Sequence, residues 1–379
     1  MRTFVWFLCF AGLAFAGAAL HAQDATAVYN EAVQLYNNGQ YEAAVDKYRA
    51  VTALQPDNAK AFYWLGCSYY RLKKYSEAVT SYTEATRLQP DYCDAWIYLG
   101  NSLDYVGRLN DAIDAYRKAT EAKPDNPQGY FELGVAYFRA ERYDDAINSY
   151  QQANQLKADY PRLQHNLGQT LRKLGRYDDA LAALRLAVSQ DPQDYDSFRE
   201  QGLALDSQSK QAAKQEGDEA KARADDLLKQ SRAMYDAALN IKSDDSSTAL
   251  DYGDSYYNRN DYQTAVQWYE KAVQYDPEWA TARCYLADAY VKLDRRLDAI
   301  AAYKEAVRLK SDYRDAWQAL GTQCVAAGDR TEALKAYAAL DPLDAAAAKK
   351  LLAAIDAMPK PKESSGADDT SSTPDAAQK

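Results

Sequence analysis

Apolar residues along this chain follow two superposed periods. The shorter one is helical. Between residues 93 and 126, Trp96, Leu99 and Leu103 recur at three- and four-residue spacing, then Ala112, Tyr116 and Ala119 do the same. Two such stripes joined by a short polar link predict a pair of antiparallel helices packed along their apolar faces. No stretch shows the strict alternation that marks a half-buried strand. The longer period is 34 residues, the spacing of Pro56, Pro90 and Pro124, with Pro192 a further 68 on. Laid out on it, the chain yields nine units: 25–58, 59–92, 93–126, 127–160, 161–194, 195–245, 246–279, 280–313 and 314–344. Position 8 of a unit is Gly or Ala, as in Gly66, Gly100, Gly134 and Ala287. Position 20 is Ala in all but the sixth, where Ser231 stands, and position 24 is Tyr in all but the fifth, where Leu184 stands.

A glycine inside a helix costs about 1 kcal/mol relative to alanine, so its recurrence at position 8 requires a packing reason. Small residues at positions 8, 20 and 27 let the two helices of a pair approach, with the large side chains filling space beside them. The Pro-Asp-Asn and Pro-Asp-Tyr segments end one unit and are expected to cap the next helix through Asp or Asn. A single pair cannot bury its apolar face, so consecutive pairs must stack into a solenoid. The residues Phe62, Leu65, Gly66, Tyr69, Ala78, Tyr82, Ala85 and Pro90 resemble the signature of the tetratricopeptide repeat (TPR) family. The resemblance recurs in register over residues 25–344. It implies an all-α, right-handed TPR superhelix (α-solenoid) that binds proteins or peptides along its concave face.

The sixth unit holds 17 extra residues between its helices, in a segment rich in strong helix formers and interrupted by Gly217-Asp218. Both helices are therefore expected to gain about two turns and to project as a charged hairpin, either solvated or a docking finger. Asp344 is positioned to cap a final helix over 345–358 that shields the last repeat. Residues 359–379, rich in Pro, Ser and Asp, are expected to be disordered. At the other end, Arg2 precedes the apolar run Phe4–Ala16 and a small-residue stretch, the pattern of a secretory signal peptide over residues 1–22. Cleavage is expected after Ala22, with Ala19 as the alternative. Cys9 sits inside the apolar run rather than after it, which disfavours lipidation.

Composition narrows the chemistry. There are 55 acidic and 45 basic residues, a net charge of −10, and this argues against a general nucleic-acid binder. Only two His are present, His21 and His165, too few for a multi-His metal centre or a His-based catalytic site. No Gly-rich phosphate loop follows a strand. The expectation is a protein that is not an enzyme and carries no cofactor or metal. Cys67, Cys93, Cys284 and Cys324 fall at unrelated repeat positions, too far apart on stacked helices to pair, and are expected as packed free thiols. Tyr is abundant, 32 against 8 Phe and 6 Trp, so apolar bodies with polar tips dominate the aromatic surface.

In the family, first-helix positions 2, 5, 6, 9, 12 and 13 line the groove. The resemblance therefore implies an aromatic zone at Tyr29, Tyr36, Tyr63, Trp64, Tyr70, Ile97, Tyr98, Asn101, Tyr105, Phe131 and Phe138. A basic zone follows at Arg139, Arg162, His165, Arg172 and Lys173, and an acidic one at Asp196, Glu200, Asp206, Asp251, Asp254, Asp288 and Asp315. Trp64 and Tyr98, as groove residues, should matter less to the fold than Trp96 and Tyr82. The carboxylate clamp of chaperone-binding members is missing: its slots hold Tyr29, Val33, Trp64, Asp94 and Tyr98. The expected function is a non-enzymatic protein-binding scaffold, exported to a bacterial periplasm or envelope and without a membrane span after signal cleavage. The alternatives are a secreted factor engaging host proteins and a periplasmic carbohydrate binder stacking sugars on the aromatic groove.

Overall fold

The computed structural model describes residues 25–160 and 162–359. The signal segment, the cleavage site and nearly all of the tail expected over 359–379 lie outside them. The described residues contain helices and turns and no strand. Helix α1 spans residues 25–37. It is followed by α2 (Tyr41–Leu54), α3 (Ala59–Arg71), α4 (Tyr75–Leu88), α5 (Cys93–Tyr105), α6 (Leu109–Ala122), α7 (Pro127–Arg139) and α8 (Tyr143–Leu156). Next come α9 (Leu163–Lys173), α10 (Tyr177–Gln190), α11 (Tyr195–Ala212) and α12 (Asp218–Ile241). The rest are α13 (Ser246–Tyr257), α14 (Tyr262–Tyr275), α15 (Ala280–Lys292), α16 (Arg296–Leu309), α17 (Arg314–Ala327), α18 (Arg330–Leu340) and α19 (Ala345–Asp356). Successive helices pair as first and second members of a repeat. The arrangement is an all-α TPR solenoid closed by a C-terminal helix.

The reason for the period lies in the contact between positions 8 and 24. Tyr48, Tyr82, Tyr150, Tyr235, Tyr269 and Tyr303 are among the largest fully buried side chains. At Gly66, Gly100, Gly134, Gly202 and Gly253 the position-24 ring of the same repeat presses on position 8 of its first helix. A Cβ added to Gly100 would lie 2.5 Å from the Tyr116 ring, and one added to Gly134 would lie 2.5 Å from that of Tyr150. Ala32 and Ala287 occupy the same place and are fully buried, so a methyl is tolerated where the local spacing already provides for it.

The position-24 hydroxyl also needs an acceptor, and in four repeats position 9 supplies it. Tyr116 donates to Asn101 Oδ1 at 2.7 Å, Tyr269 to Asp254 Oδ1 at 2.5 Å, Tyr303 to Asp288, and Tyr82 to Cys67 Sγ at 3.3 Å. Where position 9 is Val33, the buried Tyr48 hydroxyl has no hydrogen-bond partner among the described residues. Cys67, Cys93, Cys284 and Cys324 are buried and unpaired. Burial pushes the Cys67 thiol up to about 11.

Helix starts divide by residue type. Asn58 accepts from Ala61 N at 3.0 Å, Asn126 from Gln128 N at 3.0 Å and Asp194 from Ser197 N at 3.2 Å. Where the repeat ends in Tyr the expected side-chain cap is absent, as at Tyr92 and Tyr313. A phenol ring is too long to reach back to its own helix. Tyr92 instead packs on Tyr63, with ring centroids 4.8 Å apart.

The chain divides into two compact units, at Ile241 and Lys242. In the first, consecutive first helices (α3 and α5, α5 and α7, α7 and α9, α9 and α11) touch one another, and no two second helices come as close. The first helices therefore form the inner face of that unit. Its last pair carries the insertion, and the lengthening is uneven. Relative to α5 and α6, of 13 and 14 residues, α11 has 18 and α12 has 24. Gly217 adopts φ +106° ahead of Asp218, which opens α12. The hairpin closes on itself through Ser209 Oγ donating to Ala224 O at 2.7 Å.

The second unit has one continuous core from Ala249 to Met358. It ends at α19, where Asp344 accepts from Ala346 N and Ala347 N, and Leu351 and Ile355 are buried. Leu351 covers Gly321, so the last exposed repeat face is shielded. Among the described residues, no helix is long and apolar enough to cross a membrane.

Candidate functional site

The inner face of the first unit carries a continuous run of aromatic rings. Tyr36 meets Trp64 at 5.1 Å, Trp64 meets Tyr63 at 5.4 Å, and Tyr63 meets Tyr98 at 6.0 Å. From there Tyr98 meets Tyr70 at 5.9 Å and Tyr70 meets Tyr105 at 5.8 Å. Tyr105 then stacks on Tyr75 at 4.3 Å with an interplanar angle of 6°. Edge-to-face and offset geometries of this kind add to the value of the buried area. Tyr105, 61% exposed, brings the run to the surface. Tyr29 is half-buried against Tyr48, while Phe131 and Phe138 pack on Tyr160 and Tyr143.

At three repeats position 5 is withdrawn from an open groove. Tyr63 and His165 are 9% and 4% exposed, and Ile97 is 1%. The reason is geometric: position 5 faces the start of the next repeat. Tyr63 lies on Tyr92, and Phe131 packs on the equivalent Tyr160 at 4.9 Å. His165 Nδ1 lies 2.9 Å from Ser197 Oγ, which donates to Asp194 Oδ2 at 2.5 Å. Burial, with the Arg162 charge adding to it, holds the His165 pKa below its ordinary value despite Asp194, Glu200 and Asp196. The trio of His, Ser and Asp has the wrong connectivity for nucleophilic catalysis. The carboxylate accepts from the serine, and through its other oxygen from the Ser197 amide, instead of orienting the imidazole. It is a helix cap with a histidine packed on it.

The expected contrast between Trp64 and Tyr98 on one side and Trp96 and Tyr82 on the other also changes. Tyr82 is fully buried, but Trp96 is only half-buried, its Nε1 donating to Pro90 O at 2.8 Å. Tyr98 is half-buried and in ring contact with Tyr63, Tyr70 and Tyr82. Trp64 and Tyr98 therefore support the fold as well.

The basic and acidic zones do not stand apart. Arg139 pairs with Asp104 one repeat earlier, and Arg162 reaches Asp196 one repeat later at 3.4 Å. Arg172 Nε donates to Glu200 Oε2 at 2.7 Å, with both side chains largely buried. Gln169 adds a bond to Glu200 Oε1 at 3.0 Å. Burial opposes the charge on Glu200, yet Arg172 and Gln169 outweigh it and hold the carboxyl below its usual range. Asp206 is buried and paired with Lys210 at 2.7 Å. The Arg139, Arg162 and Arg172 pairs tie neighbouring repeats and the Asp206 pair lies within α11, so none of them forms a band of open charge; Lys173 remains exposed.

In the second unit, Asp254 and Asp288 accept the Tyr269 and Tyr303 hydroxyls and line a cavity of about 210 Å³ with Tyr257 and Tyr285. Asp315 is paired with Arg314 at 2.7 Å. Among the described residues no cluster of three or more His, Cys, Asp or Glu is arranged to hold a metal ion.

Glu132 and Asp104 escaped sequence reasoning. They lie beside Tyr105 and Tyr70 around a cavity of about 300 Å³. The signal was available: aligning the repeats puts Glu132 at position 6, level with Glu200.

Profiles of the tetratricopeptide repeat match residues 29–92, 98–161, 137–201 and 280–313, and one described as a TPR repeat matches 253–294. These spans together cover more than half of the chain, which belongs to the tetratricopeptide repeat family. Among solved structures, a crystal structure of MamA is 22% identical, covering 42% of this chain and 94% of its own, with a TM-score of 0.41. Another, of MamA protein, is 21% identical over 45% and 92%, with a TM-score of 0.42. TTC0263, a thermophilic TPR protein in Thermus thermophilus, is 24% identical over 48% and 98%, with a TM-score of 0.37. No curated protein matches this chain.

Proposed function

We propose that this protein is an exported, non-enzymatic scaffold that binds partner polypeptides along the inner face of its first unit. The repeats support a role in protein interaction. The observation that carries the finer reading is the aromatic run from Tyr36 to Tyr105, which crosses three repeats and ends in an exposed ring. Tyr and Trp recur at interface hot spots because they bury large area at low rotamer cost. Export rests on the apolar N-terminal run after Arg2, and the periplasm is the compartment we assign.

The test is an immobilised random-peptide array, probed with the purified protein and with Tyr70→Ala/Tyr105→Ala. Peptides that bind the protein and lose at least tenfold with the variant support the reading. An array with no binder, or binders indifferent to the variant, refutes it. Cell fractionation tests the compartment: a chain retaining residues 1–22 and found in the cytoplasm refutes export.

A further inference from the structure

Two junctions between repeats in the first unit are built on the same frame and completed differently. Position 6 is a carboxylate in both the fourth and the sixth repeat, Glu132 and Glu200. At the later junction, the preceding repeat offers Gln169 at position 9 and Arg172 at position 12. Both donate to Glu200, so the molecule's own guanidinium neutralises it. At the earlier junction, positions 9 and 12 are Asn101 and Asp104, and neither carries a positive charge. Glu132 makes no ion pair among the described residues. Where Arg172 lies at the later junction, the earlier one has a cavity of about 300 Å³, walled by Tyr70, Tyr105 and Tyr116. Asp104 gives one oxygen to Arg139, while its Oδ1 is buried there without a hydrogen bond.

We propose that this cavity receives the cationic side chain of a Lys or Arg in a partner polypeptide, with Glu132 as counter-ion, Asp104 Oδ1 as a second acceptor and the Tyr70 and Tyr105 rings as walls. Glu132 is half-buried, and a carboxylate drawn partly out of water without a cation is held at a cost that supplying the cation removes. Burial raises the Glu132 pKa, with the Gln128 bond opposing, as expected of an acid whose partner is missing. Aromatic walls suit a cation, and the protein already stacks Arg71 on Tyr41 at 4.7 Å and Arg142 on Tyr137 at 4.4 Å. The volume lies at the lower limit of ligand pockets, roughly 300 Å³, which fits one side chain better than a whole small molecule. The Asp254 and Asp288 cavity of the second unit uses equivalent repeat positions, but both its carboxylates already accept tyrosine hydroxyls. Glu132 has the Gln128 side-chain bond but no cation among the described residues.

This inference rests on the scaffold reading, and its test separates the two. The probes are the blocked peptide acetyl-Gly-Ser-Gly-Arg-Gly-Ser-Gly-amide and its citrulline counterpart, the same shape without the charge. Each is titrated into the full chain and into Glu132→Gln by calorimetry. The arginine peptide should bind at least tenfold more tightly than the citrulline peptide, and Glu132→Gln should erase that difference while keeping or raising the thermal midpoint. The Glu132 carboxyl, followed by carbon NMR in the unaltered protein, should titrate at lower pH when the arginine peptide is present. Equal binding of the two peptides, or an unmoved Glu132 titration, overturns the inference. If either occurs while array peptides still bind through Tyr70 and Tyr105, the scaffold reading stands alone. If no array peptide binds, both fall.

Discussion

The junction between the third and fourth repeats and the one between the fifth and sixth share helix geometry and differ in how a carboxylate at position 6 is satisfied. Glu200 is 3% exposed and saturated by Arg172 and Gln169 from the preceding helix. Glu132 faces Asn101 and Asp104 across an open cavity. Closing such a site from within ties two repeats together; leaving it open forgoes that tie and, on the inference proposed above, retains a surface that recognises charge. The difference comes down to position 12 of the preceding repeat, Arg in one case and Asp in the other.

The largest effect should come from breaking the closed junction. Arg172→Ala leaves Glu200 buried without its cation, and such a loss costs about 3–5 kcal/mol. Urea denaturation should show it, and Arg172→Met with Glu200→Leu should recover most of it, since an apolar pair of similar size carries no desolvation penalty. A single Arg172→Ala within about 1 kcal/mol of the unaltered protein would mean that the two junctions are energetically alike.

Glu132→Gln should move stability the other way, upward by about 0.5–2 kcal/mol, the usual gain of a single stabilising substitution. The pH dependence sharpens this. The folded pKa of Glu132 is raised, so the folded state holds its proton more tightly, and the penalty is present above that pKa and fades as pH falls towards 4.5. Glu200 has a lowered folded pKa, so its contribution is present above 4.5 and is lost as pH falls through the folded value. The advantage of Glu132→Gln over the unaltered protein should therefore be gone by pH 4.5, whereas the cost of Arg172→Ala should begin to shrink above 4.5, as the stranded Glu200 of the variant takes up a proton, and keep shrinking below it as the paired Glu200 of the unaltered protein does. Chemical denaturation across the pH range reads both, and parallel curves would contradict the contrast.

The smallest effects concern the tyrosine hydroxyls. Tyr116→Phe removes the donor to Asn101 at the open junction and should cost about 1 kcal/mol. Tyr48→Phe removes a buried hydroxyl without a hydrogen bond among the described residues, and should be neutral or stabilising by up to about 1 kcal/mol. Thermal midpoints of the two variants should separate in opposite directions; a matched loss would mean that the position-9 acceptor has no role.

Much of the frame was legible without coordinates. The recurrence of Gly66, Gly100 and Gly134 against Tyr82, Tyr116 and Tyr150 encodes helix approach, because a Cβ at those positions would overlap the ring. The C-terminal helix was readable from Asp344 and the apolar positions after it. The groove was less legible. Tyr63, Ile97 and His165 look like surface aromatic, apolar and basic residues in a linear register, yet each is buried. Whether position 5 faces solvent depends on what the following repeat places over it.

Local rules that repeat every 34 residues thus determine the helices, their pairing and the packed tyrosines, because each involves residues within one unit and one set of sterics. Which charges remain open is another matter. Arg139, Arg162 and Arg172 read as a basic zone in the sequence, but each finds an acid on a neighbouring repeat, about 30 residues away in the chain. Only stacking decides which carboxylate a cation can reach. Burial then sets the electrostatic cost of the carboxylate it does not reach, and that one is Glu132.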